Sequence, residues 1–257
     1  MYTSKEYREK TLDEIKAEIK IAQANFPDSR RIFLADGDAF NLSTDKLLSI
    51  LQLLESAFPK LSRVSCYATP ANINAKSELE LSRLKQHKLS LLYVGVESGN
   101  NEILKRISKG ASHNSIVQAL QLADNAKIKV SATVILGLGG QQLWQQHIKD
   151  TAALFSQAPV SYLSTLQLYL DELSHDHFYQ GFNNNFEPQD DIAILHELTT
   201  LLEQIEPPKA VIFRTNHASN ALALAGNLPR DKTRLLNEVR QALASGINIR
   251  PDYLRSL

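Results

Sequence analysis

The sequence has 257 residues, of which 43% are hydrophobic, and its 28 basic and 28 acidic residues give a net charge of zero. A chain of this length can bury one large core, and its balanced charge excludes a strong overall attraction to nucleic acid or to an anionic membrane. No apolar run approaches the ~18 residues of a membrane span, and the first segment, MYTSKEYREK, is polar rather than signal-like. We therefore expect a cytoplasmic protein with one main folded unit.

The single cysteine limits the chemistry that this chain can carry out. Cys66 has no thiol partner in the sequence, so one chain can form neither an internal disulfide nor a site built from several thiolates. It lies in the apolar segment RVSCYATP, where an isolated cysteine is usually a small buried side chain rather than a nucleophile. We expect Cys66 to be buried and unreactive.

Helical and strand-like segments alternate along the chain. Thr11 and Glu14 have the spacing of a capping box, and the apolar periodicity after them predicts a first helix that ends near Phe26. Ser77 and Glu80 form a second capping box, which predicts another helix start. The expected strands are 32–35, 64–67, 91–96, 130–136 and 162–168, with a later strand in KAVIFRT. The other expected helices are 43–58, 77–88, 101–108, 112–126, 142–155, 191–205 and 231–244.

The order of these segments predicts an α/β fold. Each expected strand is a nearly continuous apolar run, which is typical of parallel strands buried on both faces. The repeated strand–helix units favour right-handed connections in a closed or partly closed barrel, with an open doubly wound sheet as the alternative. We expect residues 1–245 to form this unit and 246–257 to form a C-terminal tail. The segment 171–191 has no clear period and predicts a long functional or flexible loop.

Polar residues follow the ends of the expected strands, where parallel α/β sheets bind their ligands. Such a rim offers carboxylates for an ammonium group, backbone N–H groups at glycine turns for a carboxylate, and amides or hydroxyls for a ribose. Each residue also has an ordinary structural explanation as a turn or a helix cap. The candidates are Asp36, Gly37, Asp38, Asn72, Glu97, Ser98, Gly137, Gly139 and Gly140.

Three further groups of residues allow more than one interpretation. Arg214, Asn216 and His217 follow the apolar AVIF, and they indicate either substrate recognition or a network of caps and turns. The segment His175–His177 contains metal-ligand side chains, but a solvated loop is the favoured interpretation. Lys109 would be the imine-forming residue if the protein were a lyase or an aldolase.

Five segments carry a family resemblance: LADGDAF, YATPANINAKS, LLYVGVESGNNEILKRISKG, VILGLGG and FRTNHASN. They resemble successive segments of a group of radical S-adenosylmethionine (SAM) proteins, related more distantly to the oxygen-independent coproporphyrinogen oxidase and tRNA-modifying branches. The resemblance extends from Tyr2 to about Ala244, and its most specific part is VGVESGNNEILKRISKG. It implies a parallel (β/α) barrel of the TIM-barrel-like radical SAM type.

The resemblance also implies roles for the candidate residues. The segment from Ala35 to Asp38 would hold the amino group of SAM, and Glu97 and Ser98 would contact its ribose. The glycines at 137, 139 and 140 would let backbone approach the adenine or methionine part.

The sequence departs from the family at the cluster. Members carry a Cys-x-x-x-Cys-x-x-Cys loop after their first strand, which holds a 4Fe–4S cluster, and MYTSKEYREK resembles the sequence just after that loop. The resemblance therefore implies a partial barrel that lacks its first strand and is truncated after the cluster motif. We expect this chain to bind no cluster and to be inactive alone. Its first strand, RRIFLAD, should have an exposed edge that favours self-association.

Three functional interpretations remain open. The chain could be the radical SAM part of an enzyme that cleaves SAM reductively and acts on an unknown substrate. It could instead be a cluster-free module that binds SAM or another partner. An unrelated α/β-barrel lyase or aldolase is the third interpretation.

Overall fold

The computed structural model describes residues 8–35 and 37–255. Asp36, one of the candidate site residues, lies outside the described residues. None of the described helices has the length and apolar character needed to cross a membrane.

The core of the fold is a seven-stranded sheet in the order β1 to β7. The first six strands are parallel, and β7 is antiparallel to β6. Within the described part of the chain β1 and β7 form the two edges, so the sheet is an open, partial barrel. The strands are β1 Arg31–Leu34, β2 Arg63–Tyr67, β3 Leu89–Glu97, β4 Lys129–Leu136, β5 Tyr162–Gln167, β6 Val211–Arg214 and β7 Ala225–Leu228.

Helices connect the strands and cover one face of the sheet. Capping boxes are present at Thr11, Ser77 and Ser112, each of which accepts a hydrogen bond from the backbone of its first helical turn. The α-helices are α1 Leu12–Asn25, α2 Thr44–Ala57, α3 Pro70–Asn74, α4 Glu78–Gln86, α5 Asn101–Arg106, α6 His113–Asn125, α7 Gly140–Gln157, α8 Glu172–Gly181, α9 Asp191–Gln204 and α10 Lys232–Ser245.

The parallel partial barrel confirms the predicted fold class, and all five strands predicted in the first two thirds of the chain are present. In β4, and in β3 from Leu92 onwards, the side chains alternate between a buried face and a half-buried face. In β3, for example, Leu92, Val94 and Val96 are buried beneath helices, whereas Tyr93 and Gly95 are half-buried on the opposite face. We call this second face of the sheet the inner face.

The prediction of a loop over 171–191 was wrong, because much of this segment is the helix α8. Asp171 caps the helix by accepting a hydrogen bond from the Ser174 backbone N–H at 2.7 Å. Phe178, Phe182 and Phe186 follow one another at intervals of four residues and pack together, with ring centroids 4.8–4.9 Å apart. This apolar contact stabilises the segment despite its polar composition.

The strand β7 was not predicted. Its sequence, AGNL, contains a glycine and an asparagine and is too short to show an alternating pattern. After α10 the chain returns to the neighbouring loops. The Arg250 N–H donates to the carbonyl of Ala221, and the Arg255 guanidinium pairs with Asp191.

Substitution of two leucines in α4 tests how this helix packs on the sheet. Leu81 is fully buried, whereas Leu79 of the same helix is 73% exposed. We expect Leu81→Ala to lower the free energy of unfolding by about 2–5 kcal/mol, because it leaves a cavity in the core. Leu79→Ala should change it by less than about 0.5 kcal/mol. Urea denaturation measures both values, and equal effects would contradict this orientation of α4.

Candidate functional site

The pairing of the parallel strands brings one row of side chains together on the inner face. Gly95 is paired with Thr133, Thr133 with Ser164, and Ser164 with Arg214. We call these four residues the polar row. Since paired residues of neighbouring strands project from the same face, the row crosses β3 to β6 at one level.

An aromatic cluster lies beside the polar row, towards the edge strand β1. Phe33, Tyr67 and Tyr93 form it, with ring centroids 4.9 to 6.1 Å apart and edge-on packing. Phe33 is 39% exposed and Tyr67 is 60% exposed. The aromatic cluster is therefore accessible to a ligand or to solvent on the inner face.

Glu97 and Lys109 form an ion pair directly above Gly95. The Lys109 Nζ lies 2.9 Å from the Glu97 Oε1, and each side chain is about one fifth exposed. A Cβ on Gly95 would lie only 2.2 Å from that carboxylate oxygen and 3.1 Å from the ammonium nitrogen. The ion pair can rest against the strand only because residue 95 has no side chain.

The backbone at Glu97 explains why its carboxylate turns back over the strand. Glu97 has a φ of +63°, in the left-handed region, and the strand register shifts between Gly95 and Glu97. The Ser98 N–H donates to the Val96 carbonyl at 2.8 Å, which closes a three-residue turn. This strained turn points the carboxylate towards the inner face.

Asp38 and Asn72 lie together at the carboxyl ends of β1 and β2. The Asn72 Nδ2 donates to the Asp38 Oδ2 at 2.6 Å, and the Thr69 hydroxyl donates to the Asn72 Oδ1 at 2.5 Å. The other carboxylate oxygen, Asp38 Oδ1, is buried and has no hydrogen-bond donor among the described residues. Gly37 precedes it with a φ of +126° and open space where a side chain would be. Asp38 therefore has the capacity to accept a hydrogen bond from a ligand.

Ser98 lies on the other side of the turn from Glu97. Its side chain is fully buried, and its Oγ is 2.8 Å from the His147 Nδ1 and 3.0 Å from the Asn100 N–H, which donates to it. The His147 Nε2 faces the Ile135 carbonyl at 3.0 Å and so donates to it, which leaves Nδ1 to accept the Ser98 hydroxyl proton. The structure thus brings Glu97 to the inner face and Ser98 to the helix side.

The glycines after β4 form a tight buried turn, which we call the glycine turn. Gly137 and Gly140 have φ values of +83° and +57°, and the Gly140 N–H donates to the Gly137 carbonyl. A Cβ on Gly140 would lie 2.9 Å from the ring of Phe186, and one on Gly139 would lie 2.8 Å from the α7 backbone. The close approaches found here are to protein atoms of α7, of the 182–187 segment and of Ile194 in α9.

Arg214, Asn216 and His217 are all exposed at and after the end of β6. The Ser219 N–H donates to the His217 Nδ1 at 3.2 Å, within the turn that follows. Thr215 and Asn220, by contrast, bind backbone carbonyls and stabilise that turn from within. The network of caps and turns is therefore present at Thr215 and Asn220, and substrate recognition by the three exposed residues stays a prediction.

Two buried titratable groups lie behind the glycine turn. Burial raises the pKa of Glu197 to about 8, and its single hydrogen-bond donor is the Gly137 N–H. Burial also lowers the pKa of His147 to about 4. Both groups are therefore neutral near pH 7 in the folded protein, and Glu197 Oε1 has no hydrogen-bond partner among the described residues.

Glu197 gives the stability a defined pH dependence. A carboxyl whose pKa is about 8 when folded and about 4.3 when unfolded favours the folded state most at low pH, and this contribution is lost as pH rises to 8. His147 acts in the opposite sense only below about pH 6.5. Between pH 6.5 and 8 we expect the free energy of unfolding to fall by up to about 1.4 kcal/mol per pH unit.

Glu197→Gln tests this assignment by urea denaturation across the same pH range. The glutamine can still accept the Gly137 N–H but does not titrate, so the decline should disappear. Glu206→Gln, at an exposed position, is the control and should preserve the decline. A decline that survives in Glu197→Gln would show that another group causes it.

Comparison with known proteins identifies the family of this chain. A family model described as the radical SAM superfamily matches residues 2–154. Because this match covers more than half of the chain, the protein belongs to the radical SAM superfamily. The alternative of an unrelated lyase or aldolase is therefore set aside.

Individual relatives are distant. The heme chaperone HemW of Bacillus subtilis is 25% identical over 134 residues, which are 51% of this chain and 35% of that protein. The archaeal Elp3 of Methanocaldococcus infernus, solved with an N-terminal deletion, has a TM-score of 0.56 at 17% identity and covers 92% of this chain and 59% of that one. Coproporphyrinogen III oxidase (HemN) from Escherichia coli has a TM-score of 0.57 at 17% identity, covering 75% of this chain and 45% of that one. This chain spans about one third of the curated relative's length, and the structural likenesses show a shared fold.

The residues of this chain do not fit the 4Fe–4S cluster that is typical of the superfamily. Cys66 is fully buried, as predicted, and burial raises the pKa of its thiol to about 12. Across the described residues, no group of three or more His, Cys, Asp or Glu side chains could hold a metal ion. The groups that could contact a small polar ligand are instead those of the inner face.

Lys109 lies in the candidate site in a role that the sequence did not predict. It was considered only as an imine-forming amine, and its pairing with Glu97 was not predicted. The left-handed residues Ser108 and Gly110 flank it and return the chain from α5 towards the sheet. The signal for this position in the sequence was a basic residue between a serine and a glycine, two residue types common in turns that reverse the chain.

Proposed function

We propose that the inner face of this protein binds SAM and that the chain forms the SAM-binding and substrate-binding part of a radical SAM enzyme. One observation carries the proposal. An ion pair of Glu97 and Lys109 is held over a glycine at the carboxyl edge of a parallel sheet, at the same edge as Asp38 with its unpartnered buried oxygen.

The groups of SAM have matching partners among these residues. The amino group of SAM would donate to Asp38, and the SAM carboxylate would accept from the ammonium of Lys109. Glu97 can accept hydrogen bonds from the ribose hydroxyls, in agreement with the role implied by the family resemblance. The aromatic cluster offers ring faces and edges to the adenine or to the positively charged sulfonium.

When bound in this superfamily, SAM supplies a 5′-deoxyadenosyl radical after one-electron reduction of its sulfonium by the cluster. Protein side chains do not supply that electron, and the residues of this chain do not fit the cluster. We therefore propose that this chain binds and orients SAM but is inactive alone. The single buried cysteine also favours a second candidate function, a cluster-free SAM-binding module.

The remaining predictions become part of the proposal. Arg214, Asn216 and His217 would contact the substrate, and the glycine turn and Ser98 would stabilise the SAM site from the helix side. The edge of β1, which pairs with no other strand among residues 8–35 and 37–255, would favour association with a second copy of the chain. A cytoplasmic location also belongs to the proposal.

Calorimetry with SAM tests the binding site directly. We expect weak binding by the unmodified chain and a loss of roughly 1–3 kcal/mol in Glu97→Ala and in Lys109→Met, which is about 5-fold to 150-fold, because each removes a charge-assisted interaction. Lys105→Met, on the exposed side of α5, is the matched control and should bind like the unmodified chain. Unchanged affinity in Lys109→Met, with the fold intact by circular dichroism, would refute the assigned role of this residue.

Anaerobic reconstitution with iron and sulfide tests the proposed absence of a cluster. We expect neither stoichiometric iron nor the broad visible absorption of a 4Fe–4S cluster, since a single thiol cannot replace three. Cys66→Ser should give the same result as the unmodified chain. A stable cluster that is lost in Cys66→Ser would reveal a site shared between chains and would overturn this part of the proposal.

A further inference from the structure

The β6 side of the inner face carries a charged side chain without a partner. Arg214 is exposed at the end of β6, and its guanidinium makes no hydrogen bond or ion pair with any residue that the structure describes. Its neighbours Val211 and Phe213 are buried on the helix side, so Arg214 lies on the opposite, inner face. An arginine in this position has all of its N–H donors available to a ligand.

Two hydroxyl groups lie next to Arg214 in the polar row. Ser164 is its direct neighbour on β5, and Thr133 is the neighbour of Ser164 on β4. Both are half-buried, and neither hydroxyl has a hydrogen-bond partner within 8–35 and 37–255. The row therefore presents one guanidinium and two free hydroxyls on adjacent strands.

We infer that Arg214, Ser164 and Thr133 form a subsite for an oxyanion, the carboxylate or phosphate group of a substrate bound beside SAM. A guanidinium can bind either group through two parallel N–H donors, and hydroxyls can donate to the remaining oxygens. None of the four residues of the polar row is acidic. Glu97 lies above Gly95, at the β3 end of the row, and is paired with Lys109. The β6 end of the row thus carries a positive charge that its own row does not neutralise.

The spacing separates this subsite from the proposed SAM site. Three strand intervals of about 4.8 Å place Arg214 about 14 Å along the curved sheet from Gly95, where Glu97 and Lys109 lie. The carboxylate of SAM is assigned to Lys109, so the oxyanion at Arg214 belongs to a second molecule. Its assignment to a substrate rests on the proposed function.

Nuclear magnetic resonance of the full chain with 15N-labelled arginine tests the subsite. The Arg214 Nε–H signal is assigned by its absence in Arg214→Lys. Inorganic phosphate and succinate are the two probes, each titrated at constant ionic strength against sodium chloride. We expect the Arg214 signal to shift saturably with at least one probe, and the stronger probe distinguishes a phosphate from a carboxylate ligand.

Matched controls separate a built subsite from general attraction of anions. The Arg230 signal should not shift, because this exposed guanidinium is already paired with Asp231. Ser164→Ala and Thr133→Val should each weaken the binding of the probe at least threefold while the melting temperature stays within a few degrees. An Arg214 shift that follows ionic strength alone, or that Arg230 shares equally, would overturn the inference.

The titration contains no SAM, so its outcome is independent of the calorimetry with SAM. Saturable anion binding without SAM binding would keep the subsite and refute the SAM site. SAM binding with no saturable shift of Arg214 would refute the subsite and keep the SAM site.

Discussion

The left-handed turn at Glu97 is the constraint on which the candidate site depends. An L-residue in this conformation costs about 1–2 kcal/mol, and the hydrogen bond from the Ser98 N–H to the Val96 carbonyl closes the turn. From Leu92 to Val96, before the turn, β3 follows the regular alternation of a parallel strand. At the turn, Glu97 is directed to the inner face and Ser98 to the helix side. One backbone feature therefore places the Glu97 carboxylate on the inner face and the Ser98 hydroxyl against the buried His147.

The helix α7 holds this turn from behind. The Gly99 N–H donates to the Thr151 hydroxyl at 2.9 Å, and the Asn100 Nδ2 donates to the Asp150 carboxylate at 2.6 Å. A Cβ on Gly99 would lie 2.4 Å from the Asp150 carbonyl oxygen, so only glycine allows this approach. Asn100 then caps α5, the helix that leads to Lys109. The two partners of the ion pair are therefore positioned by the same rigid contact, which suits a site that must be formed before its ligand binds.

The architecture could be predicted from the sequence because the strands and helices depend on local patterns of residues. Continuous apolar runs predicted the parallel strands, and capping boxes at Thr11 and Ser77 predicted two helix starts that the structure contains. The helix α8 was missed because its sequence is mostly polar, and its apolar packing comes from Phe178 together with Phe182 and Phe186, which lie after the end of the helix. The pairing of Glu97 with Lys109, and the register that aligns Thr133, Ser164 and Arg214, were not predictable, since both depend on how separate segments meet.

The same geometry bears on the proposal that this chain binds SAM but is inactive alone. Radical intermediates must be kept from solvent, and enzymes do this by closing the site around them. In the described part of the chain the aromatic cluster borders the open edge at β1, where Tyr67 is 60% exposed. Solvent therefore reaches the side of the inner face next to Glu97 and Lys109. A radical formed in the proposed SAM site would therefore be open to water on the β1 side of the described residues, which agrees with the proposal that this chain binds SAM without reacting alone.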